Sequence, residues 1–384
     1  LLACRAALRR RPVGVELVDG RPVLVDIGAV LTNNTALAAY THTLLGAVAV
    51  AGGFLLGIAW YQLWRRRADG IDSVDDTGRV VVGEAPEIAG RDAADHGVWL
   101  TSLRVGALIA IVGFGGVALT GDLQAKLMYE QQPLKMAAAE AACHTGTEFS
   151  VLSIGDLGSQ DCESITTIIA IPGLLSFLAN GDFESEMPGI NDLIPQYQEA
   201  YGLTLPDDPR YGERAGQEIS YLPLMEVTYW GFRIMIGFGA LAAFAAVVAL
   251  WITRKGTVPR SRWLMRLAVF GILAPFGANV AGWVFTEMGR QPFVVAPNPD
   301  PSGIDGVYMF TAAAVSPGVT AGEMLFSVIT LTLVYAALMV VEVGLLVKYV
   351  RAGIAGAMPE LGAAPDDRDP DDPTRRDDVL AFAY

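Results

Sequence analysis

The stretch AAYTHTLLGAVAVAGGFLLGIAWYQLWRRR, residues 38–67, decides the fold. Between Leu44 and Trp64 it carries no charged side chain, and its apolar residues cover the whole helical circumference instead of one stripe. A helix needs about 20 such residues to cross roughly 30 Å of hydrocarbon, so the stretch reads as a membrane span closed by Arg65, Arg66 and Arg67. Further stretches repeat the character, and the spans are placed near 37–63, 100–120, 225–252, 264–286 and 322–347. Composition agrees: 52% of residues are hydrophobic, 18% are charged, and the mean hydropathy is +0.40. The expected fold class is all-α, a polytopic integral membrane helix bundle of about five transmembrane helices.

The formal net charge of −14 repels nucleic acid, which is excluded as a partner, and leaves membrane lipid as the surroundings of the spans. The tail PDDRDPDDPTRRDD, residues 365–378, has too little apolar surface to bury, so 351–384 is expected to be a disordered cytoplasmic tail. Basic residues set the orientation. Arg65–Arg67 follow the first span, Arg254, Lys255, Arg260, Arg262 and Arg266 lie between the third and fourth, and Lys348 and Arg351 follow the fifth. That puts the loop 64–99 in the cytoplasm, and it puts 12–36, 121–224 and about 287–321 outside. Cys143 and Cys162 share the long outer segment, where a disulfide persists, but two cysteines in one loop leave open whether they pair. The basic start LLACRAALRRR conflicts with an outer location, and residues 1–11 are read as the foreign start of a fragment. Within the outer segment, TIIAIPGLLSFLANG (167–181) is interrupted by Pro172 and too short to cross, so it is expected to form turns and short helices at the interface.

Polar residues in a span are costly and mark a functional site by default. His42 lies near the outer end of the first span, with Gly46, Ala49 and Gly53 following on its face. Either a flat ligand lies there, or small residues allow two helices to approach. In the third span, GFRIMIGFGALAA, Met235 is followed on its face by Gly239 and Ala242, and Arg233 sits nearer the outer surface. A histidine and a methionine at similar depth on separate helices suit axial ligation of one heme iron, and heme propionates would give Arg233 an anionic partner. The fourth span ends in NVAGWVFTEMGRQPF, where Trp283, Glu287 and Arg290 fall on one stripe; an interfacial belt of Trp and Arg accounts for the same pattern more simply. Asp122, in LTGD, ends the second span on the same outer side. The outer segment then opens with QQPLKMAAAEA (131–141), where Pro133 suits a first helical turn. Lys135 and Glu140, five residues apart, sit about 140° apart around such a helix and read as separate contacts.

Together THTLLG (41–46), TGD (120–122), QPLKMAAAEA (132–141), PGLLSFLANGD (172–182), FRIMIGFG (232–239) and TEMGRQPF (286–293) resemble subunit I of the cytochrome bd quinol oxidases, from PVGVELVDGRP (12–22) to the last span. The resemblance implies a heme-dependent quinol:oxygen oxidoreductase of the respiratory chain in the bacterial cytoplasmic membrane. It implies His42 and Met235 as axial ligands of a low-spin heme b, with Arg233 beside it. Glu287 would ligate a high-spin heme b, with Trp283 near the high-spin pair, Arg290 near the propionates and Asp122 in the cofactor region. Lys135 and Glu140 would serve the outer quinol-binding segment, the Q-loop, with a carboxylate accepting a proton while a lysine holds an oxygen. Electrons would pass from ubiquinol or menaquinol through the hemes b to heme d, where O2 is reduced to water. The implied partners are subunit II and a small accessory subunit.

The family carries further spans before the aligned region, with the heme d histidine and acidic residues of a proton path. The remaining histidines here, His96 on the cytoplasmic loop and His144 in the outer segment, do not match it, so the chain alone is not expected to reduce oxygen. Phe293 stands where the family has Trp, keeping a ring and losing an indole donor. Two other readings stay open: a heme-free transporter or ion pathway lined by Asp122, Arg233 and Glu287, and an inactive truncated remnant.

Overall fold

The computed structural model describes residues 13–19, 21–69, 72–74, 80–82, 86–155, 164–256, 258–297, 307–314 and 318–357. Residues 1–11, Cys162 and the tail 365–378 lie outside the described residues. The chain opens with a hairpin, β1 (Val15–Val18) and β2 (Arg21–Leu24), then a short helix α1 (Ile27–Leu31) and the first long helix α2 (Asn34–Ala68). A second small hairpin, β3 (Asp72–Val74) and β4 (Val80–Val82), precedes the long helix α3 (Pro86–Gln131). The outer segment holds α4 (Pro133–Glu140), the antiparallel pair β5 (Phe149–Ile154) and β6 (Thr166–Ile171), α5 (Leu174–Asn180) and α6 (Ile190–Tyr201). Then come α7 (Met225–Ile252), α8 (Arg262–Gly271), α9 (Leu273–Met288), the strands β7 (Phe293–Val295) and β8 (Met309–Phe310), and α10 (Ala321–Ala357). Among the described residues, five helical stretches are long and apolar enough to cross a membrane: Ile27–Ala68, Asp95–Gln131, Met225–Lys255, Arg262–Met288 and Ala321–Ile354.

Two compact units divide at Leu325 and Phe326. The second is carried by α10, whose start is fixed by a capping box: Thr320 N–H and Oγ1–H each donate to Glu323 Oε2 at 2.9 Å, and Glu323 N–H returns to Thr320 Oγ1 at 3.3 Å. In the first unit, α2 and α3 meet through glycines. A Cβ on Gly52 would lie 2.4 Å from Ala110 N, and one on Gly106 would lie 2.7 Å from Leu56 N, so only glycine lets the two backbones touch. In lipid, where apolar burial drives no association between helices, this close van der Waals contact holds the pair.

The basic ends gather on one side. Trp64 Nε1 donates to Arg260 O at 3.1 Å, Arg104 Nη2 to Thr253 O at 3.2 Å, and Arg67 Nη1 to Val258 O. The basic clusters after the first and third spans therefore share one end of the bundle. At the other end sits an aromatic core of Tyr197, Tyr201, Tyr221, Phe293, Tyr308 and Phe310. Phe293 stacks on Phe310 at 4.9 Å and meets Tyr201 edge-on at 5.4 Å, an apolar setting that asks for no donor.

Four local features differ from the sequence pattern. Thr166–Ile171 is a strand, because a β-branched run paired with β5 prevails over a helical reading, and the helix begins only after Gly173 turns the chain at φ 73°. Helix α3 continues to Gln131, about two and a half turns beyond Asp122. The fourth span is two helices, α8 and α9, with Pro275 in the first turn of the second. Helix α10 continues past Arg351 to Ala357, where the sequence suggests a tail, since alanine favours the helix there and only Gly353 breaks it at φ 68°.

Candidate quinol and heme site

The short helix α4 presents two faces. It starts on Pro133 and ends at Ala141, which adopts φ 50° and caps it with N–H bonds to Ala137 and Ala138 carbonyls. Glu140 is 1% exposed and turned inward. Its Oε2 accepts from Arg233 Nη2 at 2.6 Å and its Oε1 from Nη1 at 3.4 Å. Arg233 Nε donates to Ser150 O at 2.8 Å, Nη2 donates to the same oxygen, and the guanidinium lies 4.4 Å from the Phe149 ring centre and 4.6 Å from that of Tyr229. Burial pushes the Glu140 carboxyl from 4.5 up to about 7, against the opposing pull of Arg233 and a Ser150 backbone hydrogen bond. The sequence pattern points to heme propionates as the anionic partner of Arg233; the chain supplies one itself.

Lys135 takes the other face. Its Nζ donates to Thr286 O at 3.4 Å, at the C-terminal end of α9 where carbonyls favour a cation, and lies 4.8 Å from the Phe285 ring centre. Lys135 also lines a small, open cleft together with Gln131, Gln132, Tyr197, Arg290 and Gln291. The two charges of the motif thus serve different environments, one a cleft wall and one a sealed ion pair.

The helices that carry His42 and Met235 both pack against α9. A Cβ on Gly46 would meet Asn279 Oδ1 at 2.7 Å, one on Gly53 would meet Pro275 Cγ at 3.1 Å, and one on Gly57 would meet Ile272 Cγ1 at 2.4 Å, so α2 and α9 run antiparallel. Moving four residues outward from Gly46 to His42, about 6 Å of rise, reaches the level of Trp283. Met235 Sδ lies where a Cβ on the neighbouring Gly282 would come within 2.7 Å. Imidazole and thioether are therefore at the same depth on different helices. The small residues below His42 are filled by helix contacts: Gly46 and Gly53 meet α9, and Ala49 N lies 2.7 Å from the position of a Cβ on Gly113.

Three of the predicted site residues have defined side-chain partners, and the one to His42 is remote in sequence. His42 Nδ1 is 3.0 Å from Thr120 Oγ1, and a Cβ on Gly121 would be 3.4 Å from His42 Cε1. Asp122, next in the same motif, pairs through Oδ2 with Lys126 at 2.6 Å, and its buried Oδ1 has no hydrogen-bond partner among the described residues. Glu287 Oε2 pairs with Arg290 Nη2, and Arg290 Nη1 also donates to Val294 O at 3.3 Å. Trp283 is 64% exposed. Cys143 is disulfide-bonded. Thr120 escapes a sequence reading because a threonine near a span end has many ordinary roles; the TGD motif is its one signal.

The family profile described as cytochrome bd terminal oxidase subunit I matches residues 3–354. The chain is 29% identical over 345 residues to the cytochrome bd ubiquinol oxidase subunit 1 of Bacillus subtilis strain 168, covering 90% of this chain and 62% of that one. It is 23% identical to the cytochrome bd-II ubiquinol oxidase subunit 1 of Escherichia coli strain K12, covering 87% of this chain and 65% of that one. Its fold is similar to that of the bd oxidase from Geobacillus thermodenitrificans, with a TM-score of 0.63, 22% identity, and coverage of 90% of this chain and 65% of that one. The chain thus spans less than two thirds of the length of these proteins.

Proposed function

The chain belongs to the cytochrome bd terminal oxidase subunit I family, and from that membership we propose that it takes electrons and protons from a quinol at the outer membrane face of a bd-type oxidase. The observation that carries this is the pairing, on one eight-residue helix, of a cleft-lining Lys135 with a buried Glu140 that is ion-paired with Arg233. The cleft offers a cation and glutamine amides to a quinol oxygen, and Tyr197 gives its ring an apolar wall. Glu140, half-protonated near neutrality, suits a proton acceptor at working pH. Ubiquinol and menaquinol present the same hydroxyl chemistry to these groups.

The donors fit the cofactors of the family. His42 and Met235 are a nitrogen and a sulfur donor at one depth, as a low-spin heme b requires, and Glu287 is a carboxylate donor for a high-spin heme b, oriented by Arg290. Hemes b, when bound, carry the electrons, and heme d supplies the oxygen chemistry. Arg233 sits two residues from Met235 and holds Glu140, so one residue links the proton acceptor to the helix of the electron acceptor. Subunit II and a small accessory subunit complete the assembly in this reading. Family membership favours it over a heme-free transporter.

The test is a reduced-minus-oxidised absorbance spectrum of the purified oxidase, with His42→Ala and Met235→Leu beside it. Loss of the low-spin heme b band in both variants is expected. Its retention in either one would remove that residue from the ligand set.

A further inference from the structure

We infer that Thr120 is the positioning residue of His42, its hydroxyl oxygen accepting the Nδ1 proton and so fixing the tautomer that leaves the Nε2 lone pair for axial ligation. The inference rests on the proposed heme ligation by His42 and extends it to a residue outside the ligand set.

The direction of the hydrogen bond follows from the single proton on the hydroxyl. Thr120 Oγ1 reaches Gly116 O, one turn back along α3, at 2.8 Å, with Val117 O at 3.4 Å. Threonines in membrane helices make this back-bond readily, and a span offers little water to replace it. With the proton committed to the carbonyl, the oxygen meets His42 Nδ1 at 3.0 Å through a lone pair, and Nδ1 must be the donor. A neutral imidazole carries one N–H, so the proton on Nδ1 leaves Nε2 as the basic nitrogen. The reverse assignment, Thr120 donating to Nδ1, would abandon the Gly116 bond and place the proton on Nε2, where it blocks ligation.

The setting holds the ring in place. His42 Cε1, between the two nitrogens, lies against Gly121, and any side chain at 121 would place a Cβ 3.4 Å from it. Adjacent residues of one motif therefore both face the ring: Thr120 fixes the proton, and Gly121 lies against Cε1. A hydrogen bond to the distal nitrogen raises ligand basicity, and such partners typically contribute about 10–100-fold in metal affinity. A more basic imidazole stabilises the oxidised metal, so the bond lowers the reduction potential.

The experiment compares wild-type oxidase with Thr120→Val, which keeps the shape and removes the oxygen, and Thr120→Ser, which keeps the oxygen. Redox titration followed at the low-spin heme b band is expected to give a higher midpoint for Thr120→Val and the wild-type midpoint for Thr120→Ser. If Thr120→Val binds heme too weakly to titrate while Thr120→Ser retains it, the hydroxyl is again what holds the ligand. An unchanged midpoint and band in Thr120→Val overturns the inference, as does an equal shift in both variants, which would make the effect one of packing. If Thr120→Val does not assemble, Thr120→Ala, which also lacks the oxygen and is smaller, takes its place: a raised midpoint is again expected, and a wild-type midpoint again overturns the positioning. A wild-type protein without a low-spin band defeats the ligation reading itself, a distinguishable failure.

Discussion

Glu140 Oε2 and Arg233 Nη2 are 2.6 Å apart, and this bond fastens α4 to α7, the membrane helix that carries Met235. The carboxylate side chain is fully buried and the guanidinium is 10% exposed. Neither charge is stable there alone, because burial penalises each and only the other repays it.

Removing one partner should therefore cost more than removing both. Arg233→Gln is expected to destabilise the folded protein by about 3–5 kcal/mol, and the double variant Arg233→Gln/Glu140→Gln by less than the sum of the singles. Thermal unfolding in detergent, followed through near-ultraviolet circular dichroism of the outer aromatic core, measures all four proteins of the cycle. Additive effects would mean that the pair is not coupled.

The pH dependence has a defined sign. Glu140 is raised from 4.5 to about 7, so the folded protein holds this proton more tightly than the unfolded chain does. Its contribution to stability is fully present below pH 4.5 and is lost as pH rises through 7. Glu140→Gln should remove that slope from a plot of unfolding midpoint against pH, and should slow quinol oxidation by about 10²-fold or more if the carboxylate is the proton acceptor.

Lys135 stands in the cleft wall, away from the sealed pair. Lys135→Gln is expected to raise the quinol KM about 10–100-fold, with kcat and the heme spectrum little changed, since a single charge-assisted hydrogen bond contributes about 1.5–3 kcal/mol. A drop in kcat at constant KM would place Lys135 in the chemistry instead of in binding.

The α2 to α3 contact tolerates no added atom at Gly52, where a Cβ would lie 2.4 Å from Ala110 N. Gly52→Ala should cost about 1–3 kcal/mol, and Gly52→Val more, because the obstacle is backbone that cannot rotate away. Yield of folded protein after detergent extraction reads this directly. Full recovery of the valine variant would contradict the contact.

The membrane helices are legible in the sequence because a charge-free run such as Leu44–Trp64 has no polar face to turn toward water. Strand β6 is not, since TTIIAI is a short apolar run whose pairing with β5 is a tertiary fact. The site divides in the same way. His42, Met235, Arg233 and Glu287 stand out because a polar or soft donor in a span is rare, and the motifs reinforce each of them. What they touch is hidden from the sequence: Thr120 is 78 residues from His42, and Glu140 is 93 residues from Arg233. Helical spacing does separate Lys135 from Glu140, and the structure gives each a different face. The glycines beneath His42 leave two options, and the structure fills that face with neighbouring helices.

The glycine contact between α2 and α3 also has a calorimetric consequence. It joins helices already dissolved in hydrocarbon, so separating them transfers little apolar surface into water and carries almost no heat-capacity change. The aromatic core of the outer segment is different, because opening it wets Tyr221, Phe293 and Phe310. The curvature of stability with temperature therefore belongs to the aromatic core, and cooling weakens that end of the molecule while leaving the helix pair as firm as before.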